Sequence, residues 1–409
     1  MNNSVKKIVR FFLCSLFIVN CSSLFAFDFG LTFNQNFGVS GYGSDSSFRY
    51  SGSMVPRVSG LIGENSDYYA SAGFEAAYLG GLSFIPELLR TEFSFRSSAL
   101  VVKAGRMYHS DPLGLIASGL FDGARVSYDS SVGSFYVGGW YTGLLYKKRI
   151  NIEMTAADYE QTNVPLDTDN YWNAYFAPKR MLAGLGWEHL SLGGEASASA
   201  ALLGQFDLSS GEALNSQYIA GKVSLPVKAF SFGLGGGFEL IQQENKFGTG
   251  FVAELGLGFV PPIPLSSKLS LLARYASGET GGNAYAFLPV TTVGQGNILG
   301  AKLSGVTMIQ ADYMAYLNNA LSAGISSSYF IRNDLNTYSG YPLNSELIEG
   351  KSSSGNLLGN EFFARILWSP YSDIHANLGG GIFLPSMGDA APNADSSWRV
   401  ELNVILLLY

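Results

Sequence analysis

The sequence predicts an all-β fold: a transmembrane antiparallel up-and-down β-barrel of about 18 strands, within a range of 14 to 18. Apolar and polar residues alternate through most of the 409-residue chain, and short and long connections alternate between the segments. Hydrophobic residues make up 47% and charged residues 14%, yet no apolar run beyond the N-terminus is long enough for a membrane-spanning helix. This combination is typical of strands that face lipid on one side only.

The last segment, 397–409, shows the pattern most clearly. Its even-numbered residues from Trp398 to Leu408 are all apolar, and the odd positions begin with Arg399 and Glu401. Successive side chains of a strand point to opposite faces, and about ten residues cross a bilayer as a tilted strand. A final strand ending on an aromatic resembles the insertion signal of outer-membrane barrels, which implies the barrel-assembly machinery as a partner. Tyr409 departs from this pattern because it has the polar parity.

The N-terminus predicts a signal peptide over residues 1–26, followed by the barrel over 27–409. A basic region containing Lys6 and Arg10 precedes a short apolar core at 11–19, and Ala26 offers a small residue for cleavage. Lipoprotein processing at Cys21 is the alternative. Removal of this segment takes both cysteines and three basic residues, and leaves 22 basic against 32 acidic residues. The mature chain would have no disulfide, and its acidic balance gives no indication of nucleic-acid binding.

Eighteen alternating segments follow in order. In the first, Phe27, Phe29 and Leu31 alternate with polar residues or glycine, and in the third the even positions from Tyr68 to Tyr78 share one face. Pro56 is acceptable in the second segment only near an edge or bulge. The predicted strands are 27–34, 48–58, 68–78, 88–95, 99–108, 121–128, 134–144, 180–188, 192–206, 217–225, 230–242, 247–260, 269–277, 303–317, 321–332, 357–368, 374–384 and 397–409.

The connections between these strands predict two unlike rims. Turns at 189–191, 226–228, 318–319 and 369–373 are tight, whereas the stretches 147–178, 278–300, 333–356 and 385–396 are long and polar. Outer-membrane barrels have short turns on one rim, with both termini, and long loops on the other. The sequence shows no domain boundary, and we expect no plug domain because the predicted strands begin directly after the predicted signal peptide.

A barrel of this size leaves an aqueous channel, so the lumen is the candidate site. A charge on the lipid side costs about 2–4 kcal/mol near the midplane, and charged residues opposite an apolar face should therefore point inward. These residues either pair with one another and fill the lumen, or line a path for small polar or anionic solutes. The candidates are Arg90, Lys103, Arg125, Lys222, Arg274, Glu361 and Arg365.

Two stretches resemble the alginate-export family of outer-membrane porins. One is Gly105–Met107 followed by Gly119–Arg125, and the other comprises 362–370 and 380–385. The resemblance implies an 18-stranded barrel in which an anionic polysaccharide or other small polar solute diffuses passively through a pore lined by arginine and lysine. It carries Arg106 and Arg125 over as pore residues. The acidic balance of this chain favours a general porin, or another solute, over alginate itself.

Other chemistry is weakly indicated, and the sequence predicts no enzyme, metal or cofactor. His109, Ser110 and Asp111 supply triad residue types, but three consecutive residues do not converge as a triad. Asp158, Asp167 and Asp169 lack the spacing of a calcium loop. The triplets Gly235–Gly237 and Gly379–Gly381 are read as barrel glycines at bends or tight contacts.

The preferred interpretation is therefore an integral outer-membrane diffusion channel. A surface adhesin acting through its long loops at 146–178, 278–302 and 333–355 stays open, as does a hydrophobic-substrate transporter, which would require an apolar lumen. A homo-oligomer is compatible with the sequence, although no dedicated trimer surface is evident.

Overall fold

The computed structural model describes residues 27–78, 81–166, 170–209, 211, 213–279, 285–335 and 355–409, so the predicted signal peptide and Cys21 lie outside the described residues. The strands form one closed antiparallel sheet of 18 strands. Every predicted segment corresponds to a strand, and the predicted fold class is confirmed. The strands are β1 (Phe27–Tyr42), β2 (Asp45–Ile62), β3 (Ser66–Tyr78), β4 (Leu82–Ser97), β5 (Leu100–Ser110), β6 (Ser118–Ser130), β7 (Gly133–Tyr141), β8 (Arg180–Leu192), β9 (Ala196–Asp207), β10 (Leu214–Val227), β11 (Phe230–Gln243), β12 (Lys246–Phe259), β13 (Ser267–Ala276), β14 (Val306–Tyr316), β15 (Leu321–Arg332), β16 (Leu357–Tyr371), β17 (Ile374–Leu384) and β18 (Ser397–Leu408).

Closure of the barrel joins the first strand to the last. β1 pairs with β18 from Leu31 opposite Leu408 to Tyr42 opposite Ser397. A closed sheet leaves no unpaired edge in lipid. Val400 and Leu402 are exposed on the outer face of β18, whereas Arg399, Glu401 and Asn403 have the inward parity. Tyr409 also lies on the inner side, where the guanidinium of Arg57 sits 5.0 Å from its ring centroid, which accounts for its unexpected parity.

The two rims differ as the sequence predicts. Connections after even-numbered strands have at most seven residues, as in 260–266, and share their rim with both termini. The connections 142–179, 277–305 and 333–356 all follow odd-numbered strands and lie on the opposite rim. Residues 336–354 of the third connection lie outside the described residues.

The described parts of the connections 111–117, 142–179 and 277–305 pack largely against the inner side of the wall. The connection 142–179 contains three short helices, α1 (Lys147–Ile150), α2 (Ala156–Asn163) and α3 (Tyr171–Tyr175). None of the helices in the described part of the chain is long and apolar enough to cross a bilayer. Leu113 and Ile116 of the connection after β5, Ile152 of the loop after β7, and Phe287 after β13 share one apolar cluster with inward side chains of the wall.

The wall is incomplete between β4 and β5. β4 pairs with β5 only from Thr91 to Ser97, so its first half, Leu82–Arg90, has no ladder partner on that side. On its other side β4 pairs with β3 as far as Leu82. We call the resulting opening the β4–β5 notch. Parts of the 142–179 connection occupy it.

Candidate functional site

The connection 111–117 crosses the lumen from β5 to the far wall. Asp111 holds its turn by accepting from the backbone N–H groups of Leu113 (2.8 Å), Ile116 (2.8 Å) and Ala117 (3.0 Å). Leu113 then packs on β11 where Gly235 has no side chain, since a Cβ there would lie 2.5 Å from Leu113 Cδ2. Gly235 therefore makes room for the loop, as the sequence analysis expected of a barrel glycine at a tight contact.

The connection 142–179 is anchored by Arg180 at the start of β8. Arg180 is fully buried, and its Nη2 donates to Asp158 Oδ2 at 2.5 Å and to Asp207 Oδ2 at 3.3 Å. Asp158 also closes a capping box with Thr155 at the N-terminus of α2. The Asp158 carboxylate is thus buried against the wall and paired with Arg180. Asp167 and Asp169 lie outside the described residues.

Two buried carboxylates of the wall help to hold the connection 277–305. Glu239 of β11 accepts from Leu288 N at 2.7 Å while Tyr218 of β10 donates to Leu288 O at 2.7 Å. Glu361 of β16 accepts from the backbone N–H groups of residues 297, 298 and 299 at 2.7, 2.8 and 3.0 Å. Buried carboxylates bonded to several N–H groups hold a loop firmly in place.

Among the described residues, the loops cover the inner wall on one side and leave its inward side chains more exposed on the other. The inward side chains Trp140, Leu182, Tyr218 and Val252 of β7, β8, β10 and β12 are buried beneath them, with exposed fractions of 2% or less. On β18, β1 and β2 most inward side chains are polar and only partly buried, and they include Asn34, Asn36, Arg49, Ser51, Ser53, Arg57, Arg399, Glu401 and Asn403. We call this polar side of the lumen the open passage.

Two clusters of predicted site residues place several cations around one acid. The Glu92 carboxylate forms ion pairs with Arg90 (Nε–Oε2, 3.0 Å) and with Lys103 (Nζ–Oε1, 2.7 Å). The Glu254 carboxylate forms ion pairs with Lys222 (Nζ–Oε1, 3.0 Å) and with Arg274 (Nη2–Oε2, 2.6 Å). Each cluster has one positive charge more than its acid neutralises, since one carboxylate serves two bases in both.

The other predicted basic residues differ in their partners. Arg365 pairs with Asp312 at 2.7 Å. Arg125 is placed opposite Lys103 in the ladder, donates to Ser127 Oγ at 3.0 Å and lies 4.0 Å from the ring centroid of Tyr136. Within the described chain, Arg125 has no acidic partner in an ion pair.

Two predicted site residues lie elsewhere. Arg106 has the outward parity of Ala104 and Tyr108, and it sits in the β4–β5 notch, where it binds Asp122. Glu361 points inward but is only 1% exposed because the 297–299 backbone covers it. Arg106 therefore does not face the lumen, which corrects its expected position, whereas Glu361 faces inward beneath the 297–299 backbone.

Two residues of the open passage were missed by the sequence analysis. Arg49 and Arg57 point inward from β2, opposite the outward Phe48 and Met54, and their guanidinium groups lie over Gly38 and Gly30 of β1. No ion pair to either arginine occurs within the described part of the chain. The parity signal was present, but the two glycines that accommodate these side chains become evident only from the β1–β2 register. Arg399, already recognised on the polar face of the last strand, donates to Asn297 O at 3.1 Å.

The triad residue types do not assemble into a catalytic site. His109 is buried and stacks on Trp140 with ring centroids 3.9 Å apart. The Asp111 carboxylate binds backbone amides, and Ser110 Oγ donates to the carbonyl of Asp111. In the residues described, no group of three His, Cys, Asp or Glu side chains is placed to hold a metal ion.

Several solved structures are similar in fold to this 18-stranded barrel. OpdQ of Pseudomonas aeruginosa has a TM-score of 0.61 at 11% identity, covering 93% of this chain and 98% of that one. OccK2 of the same organism, solved in complex with glucuronate, has a TM-score of 0.60 at 9% identity, covering 94% of this chain and 98% of that one. The outer membrane protein OprD of that organism has a TM-score of 0.58 at 11% identity, covering 93% of this chain and 94% of that one. No protein-family model matches the sequence, and no curated protein matches it either.

Proposed function

We propose that this protein is an integral outer-membrane channel for the passive diffusion of small anionic solutes. The surplus of basic groups in ion pairs on the inward faces of the wall carries the proposal. Five bases of the lumen (Arg90, Lys103, Lys222, Arg274 and Arg365) share three acids, and Arg49, Arg57 and Arg125 have no acid in an ion pair among the described residues. Basic groups along a narrow, water-filled path raise the local concentration of anions and favour their passage.

The finer proposal is a carboxylated sugar as solute, in keeping with the resemblance to alginate export. OccK2, whose fold this chain shares, was solved in complex with glucuronate, which supports a uronate as the first solute to test. The planar guanidinium groups of Arg49 and Arg57 match a carboxylate in two-point geometry. The alginate-export motif adds less support than expected, because Arg106 lies in the wall.

An adhesin role is less well supported in the described loops. Loops that bind an external partner would project from the rim, whereas residues 111–117, 142–166 and 285–305 pack against the inner wall. An apolar solute is also disfavoured, since the open passage is lined by Asn, Ser and Arg.

Planar-bilayer recording with the refolded barrel, processed after residue 26, tests this function. We expect discrete openings, a reversal potential in a potassium chloride gradient that indicates anion preference, and reduced chloride current when glucuronate is added. Arg49→Glu should lower the anion preference, whereas Lys228→Glu, the same charge change in the β10–β11 turn, should not. Absence of discrete openings would rule out the channel, and cation preference would rule out the anionic solute.

A further inference from the structure

The β4–β5 notch is closed by side chains of the 142–179 connection and of β5. The hydroxyl of Tyr171 donates to Phe84 O at 3.3 Å, that of Tyr175 donates to Pro86 O at 2.7 Å, and Arg106 donates to Leu88 O. Carbonyl groups of alternate residues point to the same side of a strand, here the side that β5 leaves unpaired. Pro86 has no N–H, so no backbone donor is left unsatisfied at that position.

A crevice of about 390 Å³ remains between α3 and the wall. Its walls are Ala72 and Phe74 of β3 and Leu88 of β4, which face outward, and Trp172 and Phe176 cover it from the side of the loop. Phe74, Leu88 and Trp172 are 51%, 51% and 63% exposed. The crevice therefore opens on the outer surface of the barrel.

The crevice lies in the middle of the apolar band. On β3, the outward residues run from Tyr68 to Tyr78 with Ala72 and Phe74 between them. Ten residues at roughly 3.3 Å each, tilted by about 40°, span about 25 Å, which is the height of the apolar band between two aromatic girdles. The two tyrosines thus mark its edges, and the mouth of the crevice is continuous with the surface that faces lipid tails.

The charged groups of the crevice are already occupied. Arg106 donates to both carboxylate oxygens of Asp122 at 2.8 Å and to Leu144 O at 3.0 Å, besides Leu88 O. Glu87 accepts from Arg149 Nε and Nη2 at 3.0 and 2.9 Å. No charge is left over for a lipid headgroup here, and the remaining lining is apolar, so the ligand chemistry is that of an alkyl chain.

We infer that the β4–β5 notch is a binding site for one acyl chain of a membrane lipid, held between α3 and the outward residues of β3 and β4. The inference rests on the proposed outer-membrane location. The acyl chain takes the place of the packing that β5 does not provide against this half of β4. It also supports the connection 142–179. This connection borders the lumen through the Arg149–Glu87 ion pair. Binding of a free amphiphile that arrives from the pore is the alternative that the experiment must separate.

Photocrosslinking in vesicles tests this site. The full mature barrel is reconstituted into phosphatidylcholine vesicles that contain a small share of phosphatidylcholine with a diazirine in the middle of one acyl chain. After illumination, labelled peptides are quantified by mass spectrometry. We expect several-fold more label on residues 171–176 and 86–88 than on the open lipid-facing surface around Ala253 of β12. Ala72→Phe should remove this excess, whereas Ala253→Phe, the same change on open surface, should not.

The outcomes separate the possibilities. Equal labelling of the notch and the open surface, or an excess that survives both Ala72→Phe and Leu88→Trp in folded barrels, overturns the site. Folding of each variant is checked by its heat-dependent migration in gels. Labelling by a water-soluble diazirine fatty acid but not by the phospholipid would assign the crevice to a solute and likewise overturns the inference. Conductance is recorded from the same preparations, so loss of the channel function alone leaves the labelling result intact.

Discussion

Arg106 and Asp122 form an ion pair with two parallel hydrogen bonds across β5 and β6, with Nε–Oδ1 and Nη2–Oδ2 distances of 2.8 Å. Glycine is required at the two positions beside this ion pair. Gly105 adopts φ 114°, and a Cβ at Gly105 or Gly123 would collide with a backbone carbonyl of the adjacent strand. The sequence stretch that resembles the alginate-export motif thus places Arg106 in the wall beside the β4–β5 notch, whereas Met107, Phe121 and Arg125 face inward.

Removal of this ion pair should weaken the barrel more than removal of an exposed charge. Arg106→Ala leaves Asp122 without its partner on the outward face, which we expect to lower the free energy of unfolding by about 3 kcal/mol. Denaturant unfolding in detergent, followed by tryptophan fluorescence, measures the change. Arg96→Ala on exposed β4 is the control, and an equal effect of both substitutions would show that the pair does not stabilise the wall.

The hydrogen bonds between the Glu361 carboxylate and the backbone of residues 297–299 should hold the loop in a position that narrows the lumen. Glu361→Ala removes the acceptor of three buried N–H groups, so the hairpin around the Gln295–Ala301 bridge should detach from β16. We expect a larger and noisier single-channel conductance in planar bilayers. Glu361→Gln, which keeps one acceptor oxygen, should lie between wild type and the alanine variant. Unchanged conductance in Glu361→Ala would mean that the hairpin does not narrow the path.

The contact between Leu113 and Gly235 should be sensitive to an added methyl group on the glycine. A Cβ at Gly235 would lie 2.5 Å from Leu113 Cδ2, so Gly235→Ala should push the connection 111–117 away from β11 at a cost of about 1–3 kcal/mol. Gly233→Ala is the matched control, because the nearest atom to its Cβ is a carbonyl oxygen at 4.0 Å. Denaturant unfolding of both variants and of Gly235→Ala combined with Leu113→Ala provides the measurement. Stability should recover in the combination, and its failure to recover would contradict the contact.

Sequence reasoning succeeded where the physics is local. Alternation along each strand predicted all 18 strands and the two unlike rims, since lipid on one face and water on the other impose a period of two. The same alternation gives Lys103, Lys222 and Arg274 the inward parity, where Lys103 and Arg274 pair with an acid on the adjacent strand and Lys222 pairs with Glu254 across β11.

The path of the loops could not be predicted in this way. It depends on contacts between residues far apart in the chain, such as Arg180 with Asp158, or Glu361 with Ile298. Arg106 was misplaced for a related reason: its strand parity is outward, but only the missing β4–β5 ladder shows how a charge is tolerated there. Polarity alone made 142–179 look like an external loop, because its buried polar groups find partners only in the folded barrel.

Alkaline pH should test the tyrosine seal of the β4–β5 notch. Burial, reinforced by Glu87, raises the pKa of Tyr175 above the ordinary value of about 10. A phenol with a raised pKa in the folded state contributes stability that is complete below the ordinary value and is lost as pH rises through the raised one. Its ionised oxygen could no longer donate to Pro86 O. We expect the fluorescence of Trp172, whose ring centroid lies 5.7 Å from that of Tyr175, to stay constant through pH 10 and to change only above it. The difference between wild type and Trp172→Phe isolates this signal, and Tyr175→Phe should abolish the transition. A transition centred near the ordinary tyrosine value would contradict a buried, hydrogen-bonded Tyr175.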